Sequence, residues 1–149
     1  GWMEDAARTF SVGEISDEKK QLIEVTEESF WQGLSQAKIG NRVGDISYAV
    51  QEYAESRGYS VIRELTGHGI GRSMHEAPDV PNFGTKGRGP RLEEGMVLCI
   101  EPMIAVGKRT VVLLDDQWTI AMKDRKPSAH YENTIAITSD GPIVLTLSE

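Results

Sequence analysis

Two histidines near the middle of the chain could bind a metal ion or transfer protons. His68 lies between two glycines in Gly67-His68-Gly69, where the backbone can approach a ligand closely and large side chains are absent. His75 follows in the run Met74-His75-Glu76. A single histidine is more often structural than functional, so the value of either one depends on the groups that converge with it.

Glu101 lies in an apolar stretch and immediately precedes Pro102. In an extended strand it shares a face with Val97, Cys99 and Met103. A carboxylate on such a face is costly unless it is paired or bound to a metal ion. The alternative is an edge strand whose polar face meets water, and Pro102 favours it because proline prefers edge strands.

Two further carboxylates have little meaning alone. Glu132 alternates with His130 and Thr134, which is also the pattern of an ordinary solvated strand face. Asp5 begins a predicted strand beside Glu4. His68 with the carboxylates of Asp5, Glu101 and Glu132 would suit divalent ions, since hard ions favour oxygen and imidazole suits zinc, iron and cobalt. The spacing alone does not assemble these four residues into one site.

Helices come first among the elements that must position these groups. Ser16 is a good N-cap, with acidic residues in the following turn, and the apolar spacing from Ile23 to Ala37 predicts a helix that ends at Gly40. A second helix, with Val43 on its apolar face, is predicted to stop at Gly58.

The rest of the chain predicts strands, turns and one long loop. We expect strands over 5–12, 59–65, 96–104, 109–114, 118–123, 130–138 and 143–147, a glycine-rich turn over 67–71, and a loop over 76–95. Asp140-Gly141 is a strong hairpin signal. Two helices followed by an antiparallel meander predict a single α+β domain over residues 1–149.

Composition excludes some function classes. The chain carries 16 Lys and Arg against 23 Asp and Glu, a formal net charge of −7. This balance argues against a nucleic-acid surface, which needs a basic patch. Cys99 is the single cysteine, so no disulfide can form within the chain, and we expect a reducing, cytoplasmic location. No stretch approaches eighteen apolar residues, so we expect no membrane span.

Three blocks of sequence and the opening segment resemble the type I methionine aminopeptidases. The blocks run from Gly67 to Pro78, from Glu94 to Met103 and from Ser128 to Ile135, and the opening match is Asp5 to Phe10. They occur in the family's order with similar gaps, and the resemblance as a whole extends over essentially the whole chain. The resemblance implies the C-terminal part of a pita-bread fold, in which two α+β halves surround a curved sheet, and we expect the N-terminal half to be absent.

The resemblance also implies a metal site. The family holds two divalent ions with five ligands, four of which match this sequence: Asp5 and Glu132 as bridging carboxylates, and His68 and Glu101 on one ion. The fifth is an aspartate on a strand before Asp5. The metal could be Co, Mn, Fe or Zn, and we expect at most one tightly bound ion in this chain alone.

Removal of an N-terminal methionine that precedes a small residue is the implied reaction. In this reading a metal-bound hydroxide attacks the carbonyl, Glu101 carries the proton as well as binding metal, and His75 donates to the substrate carbonyl or developing oxyanion. Met74 and Trp118 would line the methionine pocket, with core packing as the alternative. The expected partners are a peptide or nascent-chain N-terminus and the missing half or another copy of the chain.

The sequence departs from the family at two places, and neither removes a ligand. Met3-Glu4 stand where the family usually has His-Gly, and Asp116-Gln117-Trp118 replace Asp-Gly-Trp. A proline-directed pita-bread peptidase remains an alternative, although Trp118 and the run Glu101-Pro102-Met103 favour methionine. An inactive fragment or a metal-free binding module is the other alternative, and the four retained ligands argue against loss of metal.

Overall fold

The computed structural model describes residues 1–147, which form two helices and eleven strands. The helices are α1 (Asp17–Ser35) and α2 (Val43–Glu55). The strands are β1 (Ala6–Ala7), β2 (Ser60–Val61), β3 (Gly67–Gly69), β4 (Glu76–Val80), β5 (Val97–Ile100), β6 (Met103–Ala105), β7 (Val111–Leu113), β8 (Ile120–Met122), β9 (Ser128–His130), β10 (Glu132–Thr138) and β11 (Gly141–Val144). The predicted α+β class is confirmed.

Both helices have the ends that their sequences indicate, with one exception. The Ser16 side chain accepts a hydrogen bond from the Lys19 N–H, as expected of an N-cap. Helix α2 closes at Gly58, whose φ is +84°, while the Tyr59 N–H donates to the Ala54 carbonyl. Helix α1 ends at Ser35 rather than at Gly40, because the Asn41 side chain donates to the Gln36 carbonyl and closes the turn earlier.

The strands form three antiparallel sheets. The largest has the order β1-β10-β5-β3-β4. Strand β11 also pairs with β10, at residues further along β10 than those that pair with β1. A three-stranded sheet has the order β2-β6-β9, and β7 pairs with β8 as a hairpin. The two predicted strands that flank Asp115–Gln117 therefore pair with each other as a hairpin. The hairpin predicted at Asp140-Gly141 is confirmed as well.

Two predicted strands are each broken into two. The segment 96–104 divides into β5 and β6, and the segment 130–138 divides into β9 and β10. Pro102 has no N–H to continue a ladder, and its carbonyl instead accepts a hydrogen bond from the Tyr131 N–H. At this point both segments therefore pass between the large sheet and the three-stranded sheet, and they do so side by side.

Other expectations for the strands were wrong in extent or type. The predicted turn over 67–71 contains the buried strand β3, and the predicted loop over 76–95 begins with β4. The predicted strands 5–12 and 59–65 shorten to β1 and β2, and the last strand covers Gly141–Val144. Strand β3 escapes a pattern search because two of its three residues are glycines.

Apolar side chains from the helices and the large sheet form the main core. Phe30, Ile46 and Val50 pack against Leu98 and Ile135, and each is at most 1% exposed. Full burial of one such side chain stabilises a fold by about 1.5–3 kcal/mol. This core fixes the back of the sheet whose strands carry the candidate site. Within residues 1–147, neither helix has the length and apolar character needed to cross a membrane.

Candidate metal centre

His68 is held on a crowded central strand with one ring nitrogen free. The side chain is buried, and its Nδ1 lies 2.8 Å from the Gly69 carbonyl oxygen. Because a carbonyl can only accept, Nδ1 carries the hydrogen and Nε2 keeps its lone pair. A Cβ on Gly67 would collide with the Cys99 carbonyl oxygen, and one on Gly69 with that of Ala77, which explains the two glycines.

Glu101 lies at the break between β5 and β6 with an imidazole beside each carboxylate oxygen. His68 Nε2 is 3.5 Å from Oε1, and His130 Nε2 is 3.3 Å from Oε2. The Asn82 side chain donates to the Glu101 carbonyl at 2.9 Å and fixes the backbone there. The side chain is buried and β5 lies between β10 and β3, so the alternative of a solvated edge strand is wrong.

Glu132 begins β10 and is only 4% exposed, so the alternative of a solvated residue is wrong as well. Burial, together with the charges of Glu101 and Asp5, raises the pKa of Glu132 to about 7. Its Oε1 is buried without a hydrogen-bond partner. Oxygen atoms left in this state are costly unless a cation compensates them.

Asp5 approaches the site from the other side of β10. Its side chain is half-buried, and its charge contributes to the raised pKa of Glu132. The Asp5 N–H donates to the Thr134 hydroxyl at 2.8 Å, which holds the residue beside β10. The Asp5 carboxylate is outside the two compact groups of ligand atoms found in residues 1–147.

Those two groups share Glu132. In each, the ligand atoms lie within 4.8 Å of one another: His68, Cys99 and Glu132 form one, and Glu101, His130 and Glu132 form the other. Within the described residues, the salt-bridge partners of Glu101 and Glu132 are imidazoles alone, so no lysine or arginine neutralises them. Buried carboxylate oxygens and imidazole nitrogens are the donors that a divalent ion such as Mn²⁺, Co²⁺ or Zn²⁺ accepts, and the residues fit such an ion.

His75 lies next to this centre without joining it. Its ring centroid is 4.0 Å from that of His68, and its side chain is exposed. Neither compact ligand group contains His75. The exposed ring therefore stands beside the buried His68 side chain, where it can contact a bound molecule.

Met74 and Trp118 are on the surface and outside both ligand groups. Met74 is 41% exposed, and Trp118, in the turn between β7 and β8, is 85% exposed. Core packing, the alternative for both, is therefore wrong. Their predicted role in a methionine pocket stays a prediction.

Sequence reasoning missed His130 and Cys99 as members of the centre. His130 shares a strand face with Glu132, and this alternation was the available signal. Cys99 Sγ lies 3.5 Å from the Thr134 hydroxyl, and burial raises the pKa of its thiol to about 12. The thiol therefore stays protonated near neutral pH and packs as a small buried side chain.

Proteins similar to this chain include bacterial methionine aminopeptidases. The chain is 56% identical to methionine aminopeptidase of Clostridium acetobutylicum over 149 residues, which is 100% of this chain and 60% of that protein. It is 51% identical to methionine aminopeptidase 1 of Bacillus subtilis over 146 residues, 98% of this chain and 59% of that protein. The chain thus spans about three fifths of the length of these relatives.

Solved structures support the expected fold. Methionine aminopeptidase of Thermotoga maritima has a TM-score of 0.97 at 44% identity, covering 99% of this chain and 59% of that one. A prolidase from Pyrococcus horikoshii has a TM-score of 0.77 at 26% identity, covering 99% of this chain and 37% of that one. The expectation of part of a pita-bread fold is confirmed.

The match to a family model covers nearly the whole chain. The model for metallopeptidase family M24 matches residues 1–139, a range that contains all the residues of both ligand groups. The donor chemistry of the centre agrees with a family of metal-dependent peptidases. The chain therefore belongs to metallopeptidase family M24.

Proposed function

We propose that this chain contributes most of the active site of a methionine aminopeptidase, which removes N-terminal methionine from peptides and nascent proteins with a small second residue. The observation that carries the proposal is the convergence of His68, Glu101 and Glu132, buried and without a cationic side chain to neutralise them in residues 1–147. The identities of 56% and 51% to methionine aminopeptidases support the substrate class.

The metal ligands in this proposal are Asp5, His68, Glu101 and Glu132. Divalent ions, when bound there, supply a Lewis acid that polarises a carbonyl and lowers the pKa of water. In the complete enzyme Asp5 and Glu132 would hold both ions, while His68 and Glu101 would hold one of them. The identity of the metal stays open among Co, Mn, Fe and Zn.

Four side chains act on the substrate, and one of them, Glu101, is also a proposed metal ligand. Glu101 holds and releases the proton that moves during hydrolysis, since its buried carboxylate faces the centre from the strand break. The exposed His75 ring, beside His68, donates to the substrate carbonyl as negative charge develops on its oxygen. Met74 and Trp118 contact the methionine side chain from the surface.

The 149-residue chain alone should hold at most one ion tightly. Asp5, Glu101 and Glu132 supply three negative charges, against four positive charges for two divalent ions. Only one position has a histidine and a non-bridging carboxylate in addition to the bridges. We therefore expect one tight equivalent of metal and little peptidase activity, and metal analysis after gel filtration tests this.

Substrate choice is tested with a complemented enzyme. The chain is combined with the part of the Clostridium acetobutylicum relative that it does not match, and the mixture is assayed on Met-Ala-Ser and on an Xaa-Pro peptide. Release of methionine alone is the expected result. Cleavage of the proline peptide alone would replace our proposal with a proline-directed peptidase. No activity on either, with correct assembly and bound metal, would favour a binding module.

The remaining partners and the location are part of the same proposal. The partner of this chain is the missing half of the catalytic domain or another copy of the chain, together with a peptide N-terminus. The single cysteine, which is buried and free, supports a cytoplasmic location.

A further inference from the structure

His130 directs a ring nitrogen into the gap between two buried carboxylates. Its Nε2 lies 3.3 Å from Glu101 Oε2 and 3.8 Å from Glu132 Oε2. This nitrogen is buried and has no hydrogen-bond partner, although Glu101 is within reach by distance. Neither carboxylate oxygen is therefore a hydrogen-bond partner of this nitrogen.

Both separations are longer than a usual hydrogen bond, and the 3.3 Å separation fits two donors of a shared ion. An N–H···O bond is usually about 2.7–3.2 Å long. Donors about 2.0–2.2 Å from a tetrahedral ion lie roughly 3.3–3.6 Å from one another. Glu132 Oε1 is a second buried atom without a partner, and its side chain is 5% exposed. A cation in the gap would satisfy the orphaned nitrogen of His130 and compensate the charge of Glu132.

The backbone of His130 is held in place before any ion binds. The Thr9 hydroxyl accepts a hydrogen bond from the His130 N–H at 2.9 Å and donates one to the His130 carbonyl at 2.9 Å. On its other edge, His130 pairs with Met103 of β6. Preset donors lose little freedom on binding, and this favours a real site over a chance contact.

The position differs from the one that His68 serves. His68 faces Oε1 of Glu101, whereas His130 faces Oε2 of the same carboxylate. We infer that Glu101, His130 and Glu132 form an additional divalent-cation position at Oε2 of Glu101, distinct from the two positions that Asp5 and Glu132 would share in the complete enzyme. It takes an ion that accepts mixed nitrogen and oxygen donors, such as Co²⁺ or Zn²⁺. The inference rests on the proposed function because both carboxylates are shared with that site.

The additional position binds more weakly than the one that His68 serves. It has three protein donors, and the other ion shares two of them. The titration of this chain with Co²⁺ should therefore show a tight phase and a weaker phase. The weaker phase is the one that depends on His130.

The test is a titration of the 149-residue chain with CoCl₂, followed by calorimetry and by visible absorption of bound Co²⁺. His130→Leu and His130→Gln should each weaken the second phase by about tenfold or more and keep the first. His68→Ala should remove the first phase. Urea unfolding in chelator checks that each variant still folds, and His130→Gln keeps a polar side chain if the leucine variant does not fold.

Three outcomes would overturn the inference: a single phase in the unchanged chain, a second phase that survives in His130→Leu, or full rescue by His130→Gln, which would assign His130 a hydrogen-bonding role instead. A weak phase that depends on His130, with no tight phase, would count against the metal centre of the proposed function and leave this position standing.

Discussion

Thr134 holds the backbone of Asp5 through two hydrogen bonds made by one hydroxyl. Its Oγ1 accepts from the Asp5 N–H and donates to the Asp5 carbonyl, both at 2.8 Å. Thr134 is fully buried on β10, two residues after Glu132. A single side chain on β10 therefore fixes the backbone of Asp5 beside that strand.

Thr134→Val should uncouple these two strands. Valine keeps the shape but leaves the Asp5 N–H and carbonyl without partners, so we expect a loss of about 1–3 kcal/mol in the free energy of unfolding. Metal affinity should fall roughly 10–100-fold, as for other groups that orient a ligand. Urea unfolding and Mn²⁺ titration measure the two effects.

Thr138→Val is the matched control, because Thr138 lies on the same strand and its hydroxyl donates to the Gly141 carbonyl in the hairpin turn. It should lower stability without changing metal affinity. Equal losses of metal affinity in both variants would show that Thr134 has no special relation to Asp5.

His68 and His75 should separate metal binding from turnover. His68→Ala should abolish the tight ion, since the buried Nε2 of His68 is a proposed ligand. His75→Ala should keep the ion but lower kcat of the complemented enzyme by roughly 10²–10³, the scale for loss of one oxyanion donor. Comparable loss of metal from both variants would identify His75 as a ligand.

Two glycines of the segment 67–71, Gly67 and Gly71, should tolerate substitution by alanine unequally. Gly67→Ala places a Cβ against the Cys99 carbonyl oxygen and 2.9 Å from that of Val80, so the sheet must shift at about 1–3 kcal/mol or more. Gly71→Ala is the control, because its Cβ meets the flexible carboxylate of Glu76 at 3.1 Å. We expect that variant within about 0.5 kcal/mol of the parent in urea unfolding. Similar losses in both would refute the argument from backbone crowding.

The metal-free chain should lose stability as the pH rises. The pKa of Glu132 is raised by burial and by the charges of Glu101 and Asp5, from 4.5 to about 7. Between these values the folded chain binds more protons than the unfolded chain, so the free energy of unfolding falls with rising pH and then levels off for this group. Urea midpoints in chelator from pH 4.5 to 8 measure the decline.

Glu132→Gln tests the assignment of this pH effect, because an amide cannot ionise. Its midpoints should fall less steeply over the same window. Saturating Mn²⁺ should stabilise the parent chain more at pH 7.5 than at pH 5, since the ion compensates the charged carboxylate. An unchanged slope in Glu132→Gln would place the titrating group elsewhere.

Local chemistry made some elements predictable and concealed others. Ser16 and Gly58 signal helix ends by their own side-chain and backbone properties, and Asp140-Gly141 signals a tight turn, so these predictions were confirmed. Strand β3 carries almost no side-chain pattern, because its glycines are required by the close approach of neighbouring strands. Such long-range crowding cannot be read from a local window.

The candidate site shows the same division. The strand pattern around Glu101 allowed two interpretations, a buried carboxylate and an edge strand whose polar face meets water. Only the pairing of β5 with both β10 and β3 decides for the buried carboxylate. His130 was visible as a neighbour of Glu132 on one strand face. Its approach to Glu101 depends on the pairing of β9 with β6, which joins residues far apart in the chain.

The paired strand breaks at Pro102 and Tyr131 divide the molecule into separately evolvable parts. His68 and Glu132 belong to the large sheet, whereas the hairpin that carries Trp118 packs on the three-stranded sheet through Met122 and Met103. Exchange of residues 107–126 among homologues should therefore alter selectivity while the ligands stay in place. Under the proposed function, natural variation in that hairpin would change which substrates bind, while the proposed metal ligands stay in place.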